Sequence, residues 1–376
     1  MSDTIPLVDL GLQHRRVAEE VRAGFDRVLA NTSFILGPEA QAFERAYAEF
    51  CGVAHCVGVG NGTDAIELAL RALRIGPGDE VIAPANTFVA TAGAIARTGA
   101  TLRLVDCDET FLIDADQVPA AITERTKAIV PVHLYGQLAP MTAVRAAAGQ
   151  VPVVEDAAQS QGARQDGARS GSLGALAATS FYPGKNLGAY GDAGAVTTDD
   201  DELAERLRRL RNHGGIAKYE HLEVGVNSRL DGLQAVVLSA KLRRLDDWNA
   251  ERRAAAELYG QLLGTAVLDV PGEVTLPRPV AGNEHAWHLY VVRVPRRDAV
   301  LAALNAAGIG AGIHYPAPVH RLPAFEHLGY GDGSFPVAES LAAEILSLPI
   351  YPGITERQQE RVADELLAAL KTTRQG

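Results

Sequence analysis

Between residues 50 and 200, short apolar runs alternate with segments in which apolar residues recur every three or four positions. The runs His55–Gly60, Glu80–Pro84, Leu102–Asp106, Lys127–Val132, Val151–Glu155, Ala177–Phe181 and Gly194–Thr198 predict seven strands. Several are apolar at consecutive positions, the pattern of a strand covered on both faces. Thr63–Arg74 sets Ile66, Leu68, Leu70 and Leu73 among polar residues and stops at Gly76-Pro77-Gly78, which predicts an amphipathic helix. Strand and helix in alternation predict an α/β domain built on a mostly parallel, seven-stranded sheet.

Beyond Leu203 the pattern changes. A long helical region spans roughly 230–263, followed by a turn-rich segment from Pro271 to Asn283 and a strand-like run His288–Val294. Helices are predicted near Asp298–Ala307 and over Glu356–Leu370. With 376 residues the chain is long enough for a large domain and a smaller one. The expected division is an N-terminal arm over 1–13, a large domain over 14–249 and a small α+β domain over 250–376.

Composition narrows the function classes. A net charge of −11 argues against a nucleic-acid surface. The basic run Arg206 to Arg211 alternates with leucines at helical spacing and is expected to be a solvated helix face. Residues Met1 to Gly11 lack the basic start and apolar core of a signal peptide, and no run is long enough to cross a bilayer. A cytoplasmic protein with no membrane partner is therefore expected. Cys51 and Cys56 flank His55 without a second ligand pair, so buried thiols are expected there and not a metal site.

Three segments carry chemistry. Gly58-Val59-Gly60-Asn61-Gly62-Thr63 joins a strand to a helix, where glycines and unpaired helix amides suit an anion. It is not a dinucleotide fingerprint, because its third glycine falls at 62. Val153-Val154-Glu155-Asp156 puts a carboxylate where a strand ends, the edge at which open α/β sheets bind ligands. Ser180-Phe181-Tyr182-Pro183-Gly184-Lys185-Asn186 puts a lysine just past another strand end. Phosphate cradle, carboxylate and amine at one sheet edge are what a pyridoxal cofactor requires. Its phosphate needs donors, its ring nitrogen an acid, and its aldehyde an amine.

These segments, with Pro131-Val132-His133-Leu134-Tyr135-Gly136 and Gly225-Val226-Asn227-Ser228-Arg229-Leu230-Asp231, resemble the nucleotide-sugar aminotransferases of the DegT/DnrJ/EryC1/StrS family. The resemblance runs from about Ile5 to Pro352 and implies the fold-type I architecture of the aspartate-aminotransferase-like enzymes, with pyridoxal 5′-phosphate as cofactor. It implies that Lys185 is the Schiff-base lysine and proton shuttle, and that Asp156 pairs with the ring nitrogen. Gln159 would lie near the phenolic oxygen, and Gly62, Thr63 and Ser180 would hold the phosphate. Phe88 would stack on the ring, and Asn227 would reach the phosphate bound by a neighbouring subunit, making an obligate homodimer with shared sites. Related sugar dehydratases carry His in place of the lysine, so Lys185 favours transamination.

The stretch Phe181 to Gly188 and the run Ile313-His314-Tyr315-Pro316-Ala317-Pro318-Val319-His320 are similar to enzymes that aminate dTDP-linked 3-keto-6-deoxyhexoses. The resemblance thus implies C3 amination in amino-deoxysugar biosynthesis, with L-glutamate as donor. Tyr182, Arg229, His314, Tyr315 and His320 become candidate substrate contacts, and no metal is required. A UDP-linked 3-keto sugar or a 4-keto sugar is the alternative substrate. A non-catalytic pyridoxal-phosphate-binding regulator is the alternative of another class, and the imperfect glycine loop disfavours a nicotinamide oxidoreductase.

Overall fold

The computed structural model describes residues 4–269 and 273–374. Of the expected arm and the turn-rich segment, residues 1–3 and 271–272 lie outside the described residues. All seven expected strands form, as His55–Val59, Glu80–Pro84, Thr101–Val105, Thr126–Ile129, Val154–Asp156, Leu176–Ser180 and Gly194–Thr198. Ladders and two bridges, Ile129 to Val153 and Val132 to Asp156, order them 101–105, 80–84, 126–129, 154–156, 176–180, 194–198, 55–59. Every adjacent pair is parallel except the two made by Gly194–Thr198. The parallel strands therefore end along one edge, at Val59, Pro84, Ile129, Asp156 and Ser180.

One strand starts later than its apolar run. Val151 still closes the turn behind the helix Met141–Ala148, donating its amide to Ala148, and Pro152 has no amide to donate. The ladder begins at Val154. Side chains such as Val57, Val81, Val130, Val154 and Val196 are sealed between the sheet and its helices. Each such burial contributes about 1.5–3 kcal/mol.

The long helical region is two helices, Gly232–Leu242 and Leu245–Asp269, separated where the Arg244 amide turns back to the Lys241 carbonyl at 2.9 Å. The second helix runs through the expected domain boundary at 250. Its buried Arg252 donates to the carbonyls of Trp287 and Ile350, each at 3.0 Å, and so ties that helix to the C-terminal part. There, Tyr290–Arg293 and Ile345–Leu348 form an antiparallel pair. Helices Arg297–Ala306 and Glu356–Arg374 join Leu245–Asp269 around a core that includes Tyr259, Leu263, Leu304 and Leu366.

The N-terminal arm is shorter than expected. Asp9 caps a helix Leu10–Asn31 by accepting from the Gly11 and Leu12 amides. Before it, Ile5 pairs with Ile309 in the C-terminal part, and the Gly310 amide donates to Ile5 at 2.7 Å.

Candidate active site

The strand Val154–Asp156 ends with two carboxylates whose side chains leave on opposite faces, as a pleat requires. Asp156 is 4% exposed and borders a cavity of about 400 Å³. Its Oδ2 accepts from the Thr91 hydroxyl at 2.7 Å and its Oδ1 from the Ala158 amide at 3.1 Å. Burial pushes this carboxyl above the usual carboxylate range, against the pull of Thr91, the Ala158 amide and Lys185. Lys185 lies on the turn after Leu176–Ser180, closed by its amide donating to the Tyr182 carbonyl at 2.8 Å. Burial lowers its amine to about 8, opposed by the charge of Asp156.

Glu155 points the other way. It is fully buried and accepts from His133 Nε2 at 2.8 Å and from the amides of Gly171, Leu173 and Gly174. Burial alone would raise it, but those donors hold it below its ordinary value.

At the other end of the cavity the helix Gly62–Ala72 begins. Asn61 caps it by accepting from the Asp64 amide at 2.8 Å, which leaves the first amides, at Gly62 and Thr63, without an intrahelical partner. Glycine is required at 62: a Cβ there would stand 2.5 Å from Cβ of Ser180. Gly62, Thr63 and Ser180 all line the cavity.

Phe88 and Tyr315 form its walls, ring centroids 5.0 Å apart and inclined at 33°. Gln159 bridges two tyrosines, accepting from the Tyr135 amide at 2.7 Å and donating to Tyr315 Oη at 3.0 Å. Tyr135 in turn donates its hydroxyl to the His314 carbonyl. His314 is held against Ser347 Oγ at 2.8 Å, and burial keeps its imidazole neutral by lowering its affinity for a proton. Tyr182 lies at the rim, 58% exposed.

An amine, a buried carboxylate, an unpartnered helix end and an aromatic face thus converge on one space. Their donor set fits pyridoxal phosphate, with phosphate at the helix end and ring nitrogen at Asp156. Comparison with known proteins agrees. Residues 15–367 match the profile of the DegT/DnrJ/EryC1/StrS aminotransferase family. The chain belongs to this family. With membership come the fold-type I architecture, pyridoxal phosphate as cofactor and an aminotransferase activity. It is 49% identical to the erythromycin biosynthesis sensory transduction protein EryC1 of Saccharopolyspora erythraea, over 98% of this chain and 99% of that protein. It is 48% identical to a dTDP-3-amino-3,4,6-trideoxy-alpha-D-glucose transaminase of Streptomyces venezuelae, over 96% and 94%. The crystal structure of DesV from S. venezuelae superposes with a TM-score of 0.93 at 45% identity, covering 98% of this chain and 99% of that one.

Among the residues singled out in the sequence, this aminotransferase brings ten to the cavity: Gly62, Thr63, Phe88, Asp156, Gln159, Ser180, Tyr182, Lys185, His314 and Tyr315. Three do not line it. Asn227 is exposed and bridges to Asn212, and Arg229 donates to the Asn212 side chain at 3.2 Å. His320 corrects its expectation as a substrate contact. It is 3% exposed, and the turn Val319–Arg321 carries it inward, with Nε2 2.9 Å from Glu339 and its ring packed edge-on to Phe335. Proline-rich sequence looked like a free loop there, but the apolar company of Val319 and Phe335 folds it in.

Other cavity residues went unnoticed in the sequence. Leu7 and Val8 arrive with the N-terminal arm. Thr91 is a hydroxyl among small apolar helix residues, and that contrast was the available signal. His288 lines the cavity from the C-terminal part. Asn186 Nδ2 donates to the Asn249 side chain and the Ala286 carbonyl, so its Oδ1 faces His288 Nδ1 at 3.2 Å. That network assigns the His288 proton to Nδ1 and leaves Nε2 an acceptor. Among the described residues, no helix is long and apolar enough to cross a membrane.

Proposed function

We propose that the enzyme transfers an amino group from L-glutamate to the C3 keto group of a dTDP-linked 3-keto-6-deoxyhexose. The observation that carries this is the convergence of Lys185, Asp156 and the Gly62–Thr63 helix end on one cavity, walled on its open side by Tyr182, His314 and Tyr315. The S. venezuelae relative, named for a dTDP-3-amino sugar, supports the nucleotide and the ring position.

When bound, pyridoxal phosphate acts as an electron sink that acidifies the hydrogen on the amino-bearing carbon. Lys185 would hold the cofactor through Nζ, and its free amine would take up that proton and give it back. An amine lowered to about 8 has an appreciable neutral fraction near neutral pH, as a proton carrier needs. Asp156 would keep the ring nitrogen protonated. Gly62, Thr63 and Ser180 would hold the phosphate, Phe88 would cover the ring, and Gln159 would serve its phenolic oxygen. Tyr182, His314 and Tyr315 recognise the sugar.

The working unit in this reading is a homodimer. Tyr219, Leu222 and Val224 are 87%, 63% and 86% exposed on the segment leading to Asn227, an apolar surface that a second copy would cover. Asn227 and Arg229 would then serve the partner's site, Asn227 at the phosphate and Arg229 at the nucleotide diphosphate. Mixing Lys185→Ala with Asn227→Ala subunits should regenerate activity, because some mixed dimers hold one intact site. No recovery after subunit exchange, with Asn227→Ala inactive by itself, would refute the sharing.

The substrate test is a screen of nucleotide-linked ketosugars with glutamate, products identified by mass. Turnover of dTDP-linked 3-keto sugars is expected. Turnover confined to UDP-linked or 4-keto sugars would overturn the substrate and leave the transamination. A pyridoxal spectrum without turnover of any ketosugar would favour a regulator.

A further inference from the structure

We infer that Thr91, backed by Thr87, is a positioning residue that fixes the Asp156 carboxylate toward the cofactor's ring nitrogen. This rests on the reading of the cavity as a pyridoxal phosphate site, and it assigns work to two cavity residues that have no part in the cofactor contacts proposed above.

The geometry is a short directional chain. Asp156 receives one donor on each oxygen, Thr91 Oγ1 on Oδ2 at 2.7 Å and the Ala158 amide on Oδ1 at 3.1 Å. Rotating the carboxylate would break one of the two, so its plane is set where Asp156 lines the cavity. A threonine hydroxyl has a single hydrogen. With that hydrogen given to Asp156, Thr91 can only accept in its 2.7 Å contact with Thr87 Oγ1, so Thr87 is the donor. The chain runs Thr87 to Thr91 to Asp156, and each bond polarises the next.

Both hydroxyls are buried, 3% and 0% exposed, beside Ala92, Ala94 and Ile95. A hydroxyl in such surroundings is retained at a cost unless fully bonded. Here Thr91 is fully bonded through its donation to Asp156, and the ionised carboxylate is the stronger acceptor of that bond. Donation to the charged form opposes the burial that would neutralise the carboxyl. The two threonines also bracket Phe88, the N-cap of helix Val89–Arg97. One short segment therefore sets both the aromatic wall of the ring and the orientation of the group that meets its nitrogen.

Cofactor affinity of the cofactor-free protein separates this role from packing. The probes are pyridoxal phosphate and its analogue with a ring CH in place of the nitrogen. Thr91→Val keeps the shape and removes the donor. It should weaken pyridoxal phosphate binding roughly ten- to a hundredfold, the range for one hydrogen bond to a charged group. Binding of the CH analogue should change by no more than about twofold, since it has no nitrogen for Asp156 to meet. Thr91→Ser should restore pyridoxal phosphate affinity to nearly that of the parent. Thr87→Val, which leaves the Thr91 bond to Asp156 in place, should shift it in the same direction by a few-fold, and it supplies the same comparison if Thr91→Val does not fold. Equal weakening of both probes, or none for pyridoxal phosphate, would overturn the inference. Failure of the unaltered protein to bind pyridoxal phosphate would instead overturn the cofactor reading beneath it.

Discussion

The two sides of the strand end at Asp156 carry similar groups put to opposite uses. On the covered side, Glu155 has four donors, and elsewhere, on helix Gly232–Leu242, the buried Lys241 donates a hydrogen bond to the Gly188 carbonyl at 2.6 Å and lies 4.8 Å over the Tyr190 ring. On the cavity side, Asp156 has two donors, and the Lys185 amine has no hydrogen bond among the described residues. Burial lowers both lysines to about 8. Acidity alone therefore does not mark the reactive one. What differs is saturation: a buried polar group left with open valences is costly in a finished core, and it persists where a ligand completes it.

The sharpest way to break this contrast is to remove each lysine. Lys185→Ala should lose roughly 10⁴-fold or more in turnover, since anchor and proton carrier vanish together. Lys241→Met should keep turnover within a few-fold and change mainly the melting temperature. Comparable losses of turnover in both would end the distinction.

The carboxylates give the next largest effects. Asp156→Asn should melt close to the parent but turn over roughly 10²- to 10³-fold more slowly, because an amide cannot hold the ring nitrogen protonated. Glu155→Gln puts an amide donor against backbone donors and should cost about 2–4 kcal/mol, read as a melting point lower by roughly 3–5 °C. Its pH dependence has a definite sign. Glu155 is held below its ordinary 4.5 in the fold, so its stabilisation is complete above that value and fades as pH falls through the lower folded value. Glu155→Gln should remove that part of the acid-unfolding curve, whereas loss of the slope in Asp156→Asn would reverse the assignment.

The lysines can also be compared in place. In the cofactor-free protein, acylation of Lys185 should rise with pH around a midpoint near 8, and Lys241, equally acidic, should stay unreactive until the protein unfolds. A Lys185 midpoint near the ordinary 10.5 would show that the cavity is wetter than its walls suggest. Smallest is the split expected at the rim. His314→Ala should raise KM for the ketosugar about tenfold and leave the glutamate half-reaction nearly unchanged. Equal loss in both halves would point to damage of the Gln159–Tyr315 bond and not to sugar recognition.

Much of this was legible along the chain. The strands came from uninterrupted apolar runs, the phosphate end from glycines ahead of a helix, and Lys185 and Asp156 from their places just past and at strand ends. All are local signals, because burial on both faces, backbone approach and strand polarity are written within a few residues. Thr91 and His288 were not legible, since a threonine in a helix and a histidine before a strand have many uses until their neighbours are known. His320 misled for the converse reason: a proline-rich run looks exposed, and only packing against Phe335 turns it inward.

The sequence by itself determined the parallel sheet, the sheet edge that holds the site and the chemistry of the amine and carboxylate on it. Tertiary structure decided which of two adjacent carboxylates faces the cavity, which lysine is left without a hydrogen-bond partner among the described residues, and that the N-terminal arm and residues near 288 and 315 complete the walls. Those outcomes depend on contacts between segments as far apart as Gln159 and Tyr315. Such contacts are fixed by the packing of whole elements, and no local pattern of polar and apolar positions encodes them.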